Sequence, residues 1–207
     1  MKTLNLKKKL NLRIFALAAL LATAVLSVSC DKASDDYVPT VSENVDLKSG
    51  KAVKKGDMSI AEIALVDDGE FDELVAALVF VDGNLGTGLV DMFLNGTDQY
   101  TVFAPVDAAF ESLYETLGVD AITDLDPNLV LNVLLYHVTD GRRAANSVVP
   151  KNQPRTIETL LEGASFMVDS EAKIWAVGNE AMIVTPNVSA SNGIIHIIDT
   201  VLLPIEI

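Results

Sequence analysis

The chain has 207 residues, with 15 Lys and Arg against 29 Asp and Glu, for a formal net charge of −14. Such an acid surplus repels phosphate backbones and disfavours electrostatic adsorption to anionic lipid, so nucleic acid is not an expected partner. The single cysteine excludes an intramolecular disulfide.

Lys2, Lys7, Lys8, Lys9 and Arg13 precede an apolar run from Ile14 to Val28. That run falls short of the ~20 residues a bilayer-spanning helix needs. A basic start, a short apolar middle and small residues at the end predict a secretory signal peptide over residues 1–29, cut before Cys30. The stretch around Ser29-Cys30 resembles a bacterial lipoprotein box, although Ser27 stands where Leu is commonest. The resemblance implies acylation of Cys30. Ordinary secretion would instead leave a free thiol exposed outside the cytoplasm, a liability that acylation removes. Stable attachment needs at least two acyl chains, since one binds only marginally. The expected location is the cell envelope, lipid-anchored, in the outer membrane, facing either the periplasm or the exterior. Without the leader, ten basic residues remain against 29 acidic, a net charge of −19.

Residues 30–56 are polar and aperiodic, which predicts a flexible tether. Its Asp35-Asp36 pair resembles the acidic export tag of some surface lipoproteins and is equally compatible with a solvated linker. Residues 57–207 are expected to form one domain, large enough for a hydrophobic core.

That domain opens on Ser59-Ile-Ala-Glu62, a capping box, with Ile60, Ile63 and Ala64 forming a helical stripe. Phe71, Leu74, Val75 and Leu78 predict a second amphipathic helix. Asp82 to Gly88 is glycine-rich without a Walker lysine or dinucleotide fingerprint, and is read as a long loop open to recognition. Leu89 to Leu94 returns to helix. Tyr100 to Ala104 predicts a buried strand that Pro105 breaks, then a helix with Asp107 in its first turn. Asp126-Pro127 starts another helix, which ends near Tyr136-His137. From Thr156 the pattern has period two. Short strands are expected at 165–168, 173–177, 181–184 and 194–203, separated by turns that include Pro186-Asn187. Helices followed by strands predict an α+β fold.

Two boxes bracket this domain, Tyr100-Thr-Val-Phe-Ala-Pro-Val-Asp-Ala-Ala-Phe110 and Asn192-Gly-Ile-Ile-His-Ile-Ile-Asp-Thr-Val-Leu-Leu-Pro204, with Leu135-Tyr-His-Val138 between them. They resemble the boxes and central Tyr-His element of the fasciclin domain, over roughly 58–204. The resemblance implies a small β-sandwich flanked by helices and a role in cell-surface adhesion. It also makes Tyr136 and His137 candidate binding residues, on the expectation that their end of the element is exposed. The receptors of animal members are not expected partners for a bacterial chain.

Little else in the sequence speaks for chemistry. Its two histidines, His137 and His196, form no His-x-x-x-His pair, and no Cys-x-x-Cys exists, so no zinc site is expected. Asp67-Asp68 and Asp35-Asp36 lack EF-hand spacing. Ser191, His196 and Asp199 are the residue types of a triad, but alternation on one strand puts His196 and Asp199 on opposite faces. His196, flanked by Ile195 and Ile197, is expected to be a buried, hydrogen-bonded core residue. Trp175 is expected in the core, while an exposed Trp there would suit sugar stacking. No catalytic residue, metal or cofactor is expected. The expected function is adhesion or interaction with an unknown protein or glycan at the cell surface, the alternative being a carbohydrate- or small-ligand-binding lipoprotein associated with nutrient uptake.

Overall fold

The computed structural model describes residues 54–66 and 69–206. The leader, Cys30, Asp35-Asp36, Asp67-Asp68 and all of the tether before Lys54 lie outside the described residues.

Three helices open the domain: α1 (Ile60–Val66), α2 (Asp72–Leu85) and α3 (Leu89–Asn95). The capping box forms as read. The Glu62 amide donates to Ser59 Oγ at 3.2 Å, and the Ser59 amide to Glu62 Oε2 at 2.6 Å. The glycine-rich stretch departs from the loop reading, because α2 continues through Leu85 and stops at Gly86, whose φ of 64° few other residues tolerate. The remaining connection is held from within. Asp82 accepts the amides of Leu89 and Val90, each at 2.9 Å, and the Thr87 hydroxyl, so one side chain near the end of α2 caps the start of α3.

Next come β1 (Tyr100–Pro105), α4 (Asp107–Leu117), a short 3-10 turn (Ile122–Asp124), α5 (Pro127–Tyr136) and β2 (Val138–Asp140). Asp126 caps α5 through the amides of Asn128 and Leu129. Asp107 serves a different helix from the one it begins. Its carboxylate accepts the Glu73 amide at 2.9 Å and so satisfies the start of α2. Pro105 does not break β1 but forms its last position, where a missing amide is tolerated.

A four-residue helix α6 (Ala145–Val148) leads into β3 (Arg155–Glu158), β4 (Ser165–Val168), β5 (Lys173–Trp175), β6 (Glu180–Ser189) and β7 (Gly193–Ile198). Pro186-Asn187 does not separate two strands. It is an irregularity inside β6, with Asn187 at φ 65° and a shifted register against β7.

The seven strands lie in the order β2-β1-β7-β6-β5-β4-β3. The two boxes are therefore sheet neighbours. β1 and β7 pair in parallel from Tyr100 opposite Gly193 to Pro105 opposite Ile198. Parallel strands are normally covered on both faces, which accounts for unbroken apolar runs where alternation would mark a half-exposed strand. Val102, Ala104, Ile195 and Ile197 pack against the helices, while Phe103, His196 and Ile198 face the opposite way. The second core lies inside the curved sheet and includes Phe166, Ile174 and Ile183 with Tyr136 and Leu202.

Asn192 fastens this centre to the helices. Fully enclosed, it accepts the Ile60 amide at 2.9 Å and donates to the Phe93 carbonyl at 2.8 Å, while its own carbonyl accepts the Tyr100 amide. Gly193 follows because a Cβ there would stand 2.2 Å from the Tyr100 carbonyl oxygen.

Candidate functional site

The central element ends α5 and turns inward. Tyr136 has no exposed surface and His137 is 3% exposed, so the expectation of an exposed end is corrected. Helix α5 presents Val130, Leu134 and Tyr136 to the interior, and His137 follows as the C-cap. The Tyr136 hydroxyl donates to the Ser165 carbonyl at 2.9 Å, and its ring meets Phe166 edge-on at 5.7 Å. Such a partner is what a buried tyrosine needs, since its polar tip would otherwise be desolvated without compensation.

Both nitrogens of His137 are engaged. Nδ1 lies 2.6 Å from the Val133 carbonyl, and Nε2 accepts the Leu202 amide at 2.9 Å. An acceptor at Nε2 requires the proton on Nδ1, so the neutral tautomer is fixed by its partners. Burial pushes its pKa down to about 4, partly offset by the Val133 carbonyl. His137 is therefore neutral near pH 7 and brings no cationic charge to the C-terminal end of α5.

His196 is buried, as read. Nδ1 accepts the Asn187 amide at 3.3 Å, and Nε2 donates to the Arg143 carbonyl at 2.9 Å. Burial lowers its pKa to about 4 as well, again opposed by the carbonyl bond. The imidazole thus stitches the β6 irregularity and the segment after β2 to the centre of the sheet. Asp199, by contrast, is exposed and accepts the Met182 amide. No catalytic pairing of the two exists.

Trp175 also departs from expectation. Alternation in β5 sends Ile174 into the core and Trp175 outward, where it is 41% exposed. Its indole N–H donates to Asp169 Oδ2 at 3.2 Å, and the Lys173 ammonium lies 4.1 Å from the ring centre. Lys173 also pairs with Glu180 at 2.5 Å. Asp169 is further fixed by the amides of Glu171 and Lys173. Met167, Met182 and Val184 are exposed on the same side of these strands. The period-two pattern had marked these strands, but it could not show which of two apolar sets faced inward.

Beneath the helices, one apolar cavity measures about 50 Å³, with Leu74, Phe110, Leu134 and His137 in its lining. A buried cavity that accepts benzene is about 150 Å³. This cavity, as it stands, is therefore too small for a benzene-sized ligand.

Parallel boxes at the centre of a curved sheet, a buried Tyr-His element between them and helices covering one side define a fasciclin domain. The chain belongs to the fasciclin-domain family, whose model, described as Fasciclin domain, matches residues 71–204. Fasciclin domains are non-catalytic modules, and the family is linked to cell adhesion and interaction. Immunogenic protein MPB70 of Mycobacterium bovis is 36% identical over 197 residues, covering 92% of this chain and 93% of the relative. Cell surface glycolipoprotein MPB83 of the same organism is 35% identical over 121 residues, 58% of this chain and 50% of the relative. Among solved structures, a fasciclin domain pair from the insect cell adhesion molecule fasciclin I has a TM-score of 0.46 at 20% identity. That similarity covers 66% of this chain and 46% of the other.

Proposed function

We propose that this protein is an extracytoplasmic interaction module, held to the outer membrane through acylated Cys30 and binding a protein or surface partner without catalysis. The observation that carries the reading is the order of parts: a basic and apolar leader, the sole cysteine, a polar tether and then a fasciclin domain. The similarity to a relative named as a cell surface glycolipoprotein supports the anchor.

Where the tether meets the domain, Arg142 makes a clasp. Its guanidinium donates to the carbonyls of Lys54, Ala190 and Gly193, and to Ser189 Oγ. Lys54, the first described residue, thus already touches the domain. This arrangement supports a fixed exit point for the tether. Tyr136 and His137, the candidate binding residues, act from beneath the surface, by fixing the corner between α5 and β2. A second reading, glycan binding, is favoured by the exposed ring of Trp175.

Cys30→Ser tests the anchor by envelope fractionation after metabolic acyl labelling. The wild type is expected to carry label and sediment with membranes, and the variant to lose both. Unchanged sedimentation with no label in the wild type would overturn the lipid-anchored reading.

A further inference from the structure

The outer face of β4, β5 and β6 carries the chain's only tryptophan among flexible apolar neighbours. Met167 lies opposite Trp175 in the β4–β5 register, and Lys173 lies opposite Met182 in β5–β6. Met167, Trp175 and Met182 therefore share one surface with the Lys173–Glu180 ion pair, and Val184 follows two positions further along β6. All four are exposed. Exposed apolar side chains clustered around a polar pair are the composition of an interaction surface. Methionine adapts its shape to a polypeptide partner, and tryptophan is a frequent anchor.

The charges around this patch are unequal. Lys173 is paired with Glu180, and its ammonium sits beside the Trp175 ring. Glu158 is outward-facing opposite Ser165, Asp169 lies beside the indole, and Asp199 lies beside Met182; none of these three forms an ion pair among the described residues. An apolar strip with an acidic rim is complementary to an apolar strip with a basic one. A second copy of this chain does not meet that description, since two acidic rims on a chain of net charge −14 repel. A sugar is poorly served too. Stacking needs polar groups to orient the ring, yet Asp169 is occupied by two amides and the indole N–H, and Glu180 by Lys173.

We propose that the β4–β6 outer face binds a cationic amphipathic polypeptide segment, with its apolar side chains on Met167, Trp175 and Met182 and its basic ones drawn by the unpaired charges of Glu158, Asp169 and Asp199, which hydrogen bonds from amides do not neutralise. This rests on the interaction-module reading but not on the lipid anchor, so the two are tested apart.

Because Trp175 is the only tryptophan, its fluorescence reports this face alone. The full chain carrying Cys30→Ser is titrated at physiological salt with a synthetic Leu/Lys peptide of helical amphipathic spacing. A scrambled peptide of the same composition, a Leu/Glu counterpart and an N-acetylglucosamine hexamer are run alongside. The expected result is a saturable change in emission with the amphipathic Leu/Lys peptide, at least tenfold weaker in Met167→Ser/Met182→Ser and unaltered in Leu85→Ser. Equal affinity for the scrambled peptide, or no loss in the double variant, would overturn the proposal by reducing it to bulk charge attraction. Saturation by the hexamer without response to the Leu/Lys peptide would overturn it in favour of a glycan. No response to any probe would overturn it while leaving the anchor reading untouched.

Discussion

Nε2 of His137 accepts the backbone amide of Leu202 at 2.9 Å, joining the end of α5 to the segment that follows the last strand. Leu202 belongs to the second box and is fully buried. The central Tyr-His element therefore bonds directly to the box that follows it by some sixty residues in sequence. Its buried partners make it a fixed support for the surface above, and its direct chemistry is directed inward.

Truncating either histidine should unmake these links. His196→Ala removes the acceptor for the Asn187 amide and the donor to the Arg143 carbonyl, and opens a cavity beside Phe103. A loss of roughly 1–3 kcal/mol is expected, combining an unmade buried hydrogen bond with the cavity cost. Urea denaturation of the two proteins measures it. An unchanged midpoint with binding abolished would assign His196 to recognition.

The same histidines set an acid sensitivity. Each has a folded pKa of about 4 against about 6.5 when unfolded, so between those values the unfolded chain binds more protons. Their contribution is fully present above pH 6.5 and is lost as pH falls towards 4, by roughly 3 kcal/mol for each histidine. The carboxylates of Glu62, Asp82 and Asp169, whose pKa values lie below the ordinary range, add further losses only at lower pH. Imidazole NMR shifts should stay constant from pH 8 to 5, and a histidine titrating near 6.5 would contradict the assigned burial.

Asn192→Ala leaves the Ile60 amide and the Phe93 carbonyl without partners in an enclosed site. Two unmet groups cost about 2–4 kcal/mol together. Hydrogen exchange should show α1 and the end of α3 losing protection ahead of the sheet. Uniform loss across the domain would show that Asn192 does not link these helices to the sheet in particular.

Glycine substitutions should divide by location. Gly193→Ala places a methyl against the Tyr100 carbonyl and Ile60, and about 1–3 kcal/mol of destabilisation is expected from the strain. Gly83→Ala lies in α2 with open space around it and should stabilise by roughly 0.5–1 kcal/mol. Thermal melts of both variants check the pair, and a stabilised Gly193→Ala would contradict the close approach of β1 and β7.

Much of this architecture was legible beforehand because its determinants are local. The Ser59–Glu62 box, the Asp126-Pro127 start and the apolar runs of β1 and β7 each announce themselves within a few residues. Features set by distant partners were hidden. Nothing near Asp107 says that it caps α2, and nothing near Asp82 says that it caps α3. Pro186-Asn187 carries turn chemistry, but the adjoining strand absorbs it as an irregularity. The outward face of the sheet was harder still. In Lys173-Ile-Trp-Ala-Val, either set of alternate residues is apolar enough to face inward, so pairing with Met167 and Glu180 had to settle that Trp175 faces out. A tyrosine and a histidine at a helix end look exposed until the sheet that covers them is in place.

Binding of a polypeptide partner on the outer face of β4–β6 is the proposal that bears most on how this chain works. Site-specific photo-crosslinking in intact cells tests it most directly, with a photoreactive amino acid at Met167 and, separately, at Leu117 on α4 as control. Retention of fold is checked by thermal melting of each purified variant. A discrete polypeptide adduct is expected from position 167 and none from position 117. Adducts from position 117 with none from position 167 would contradict it.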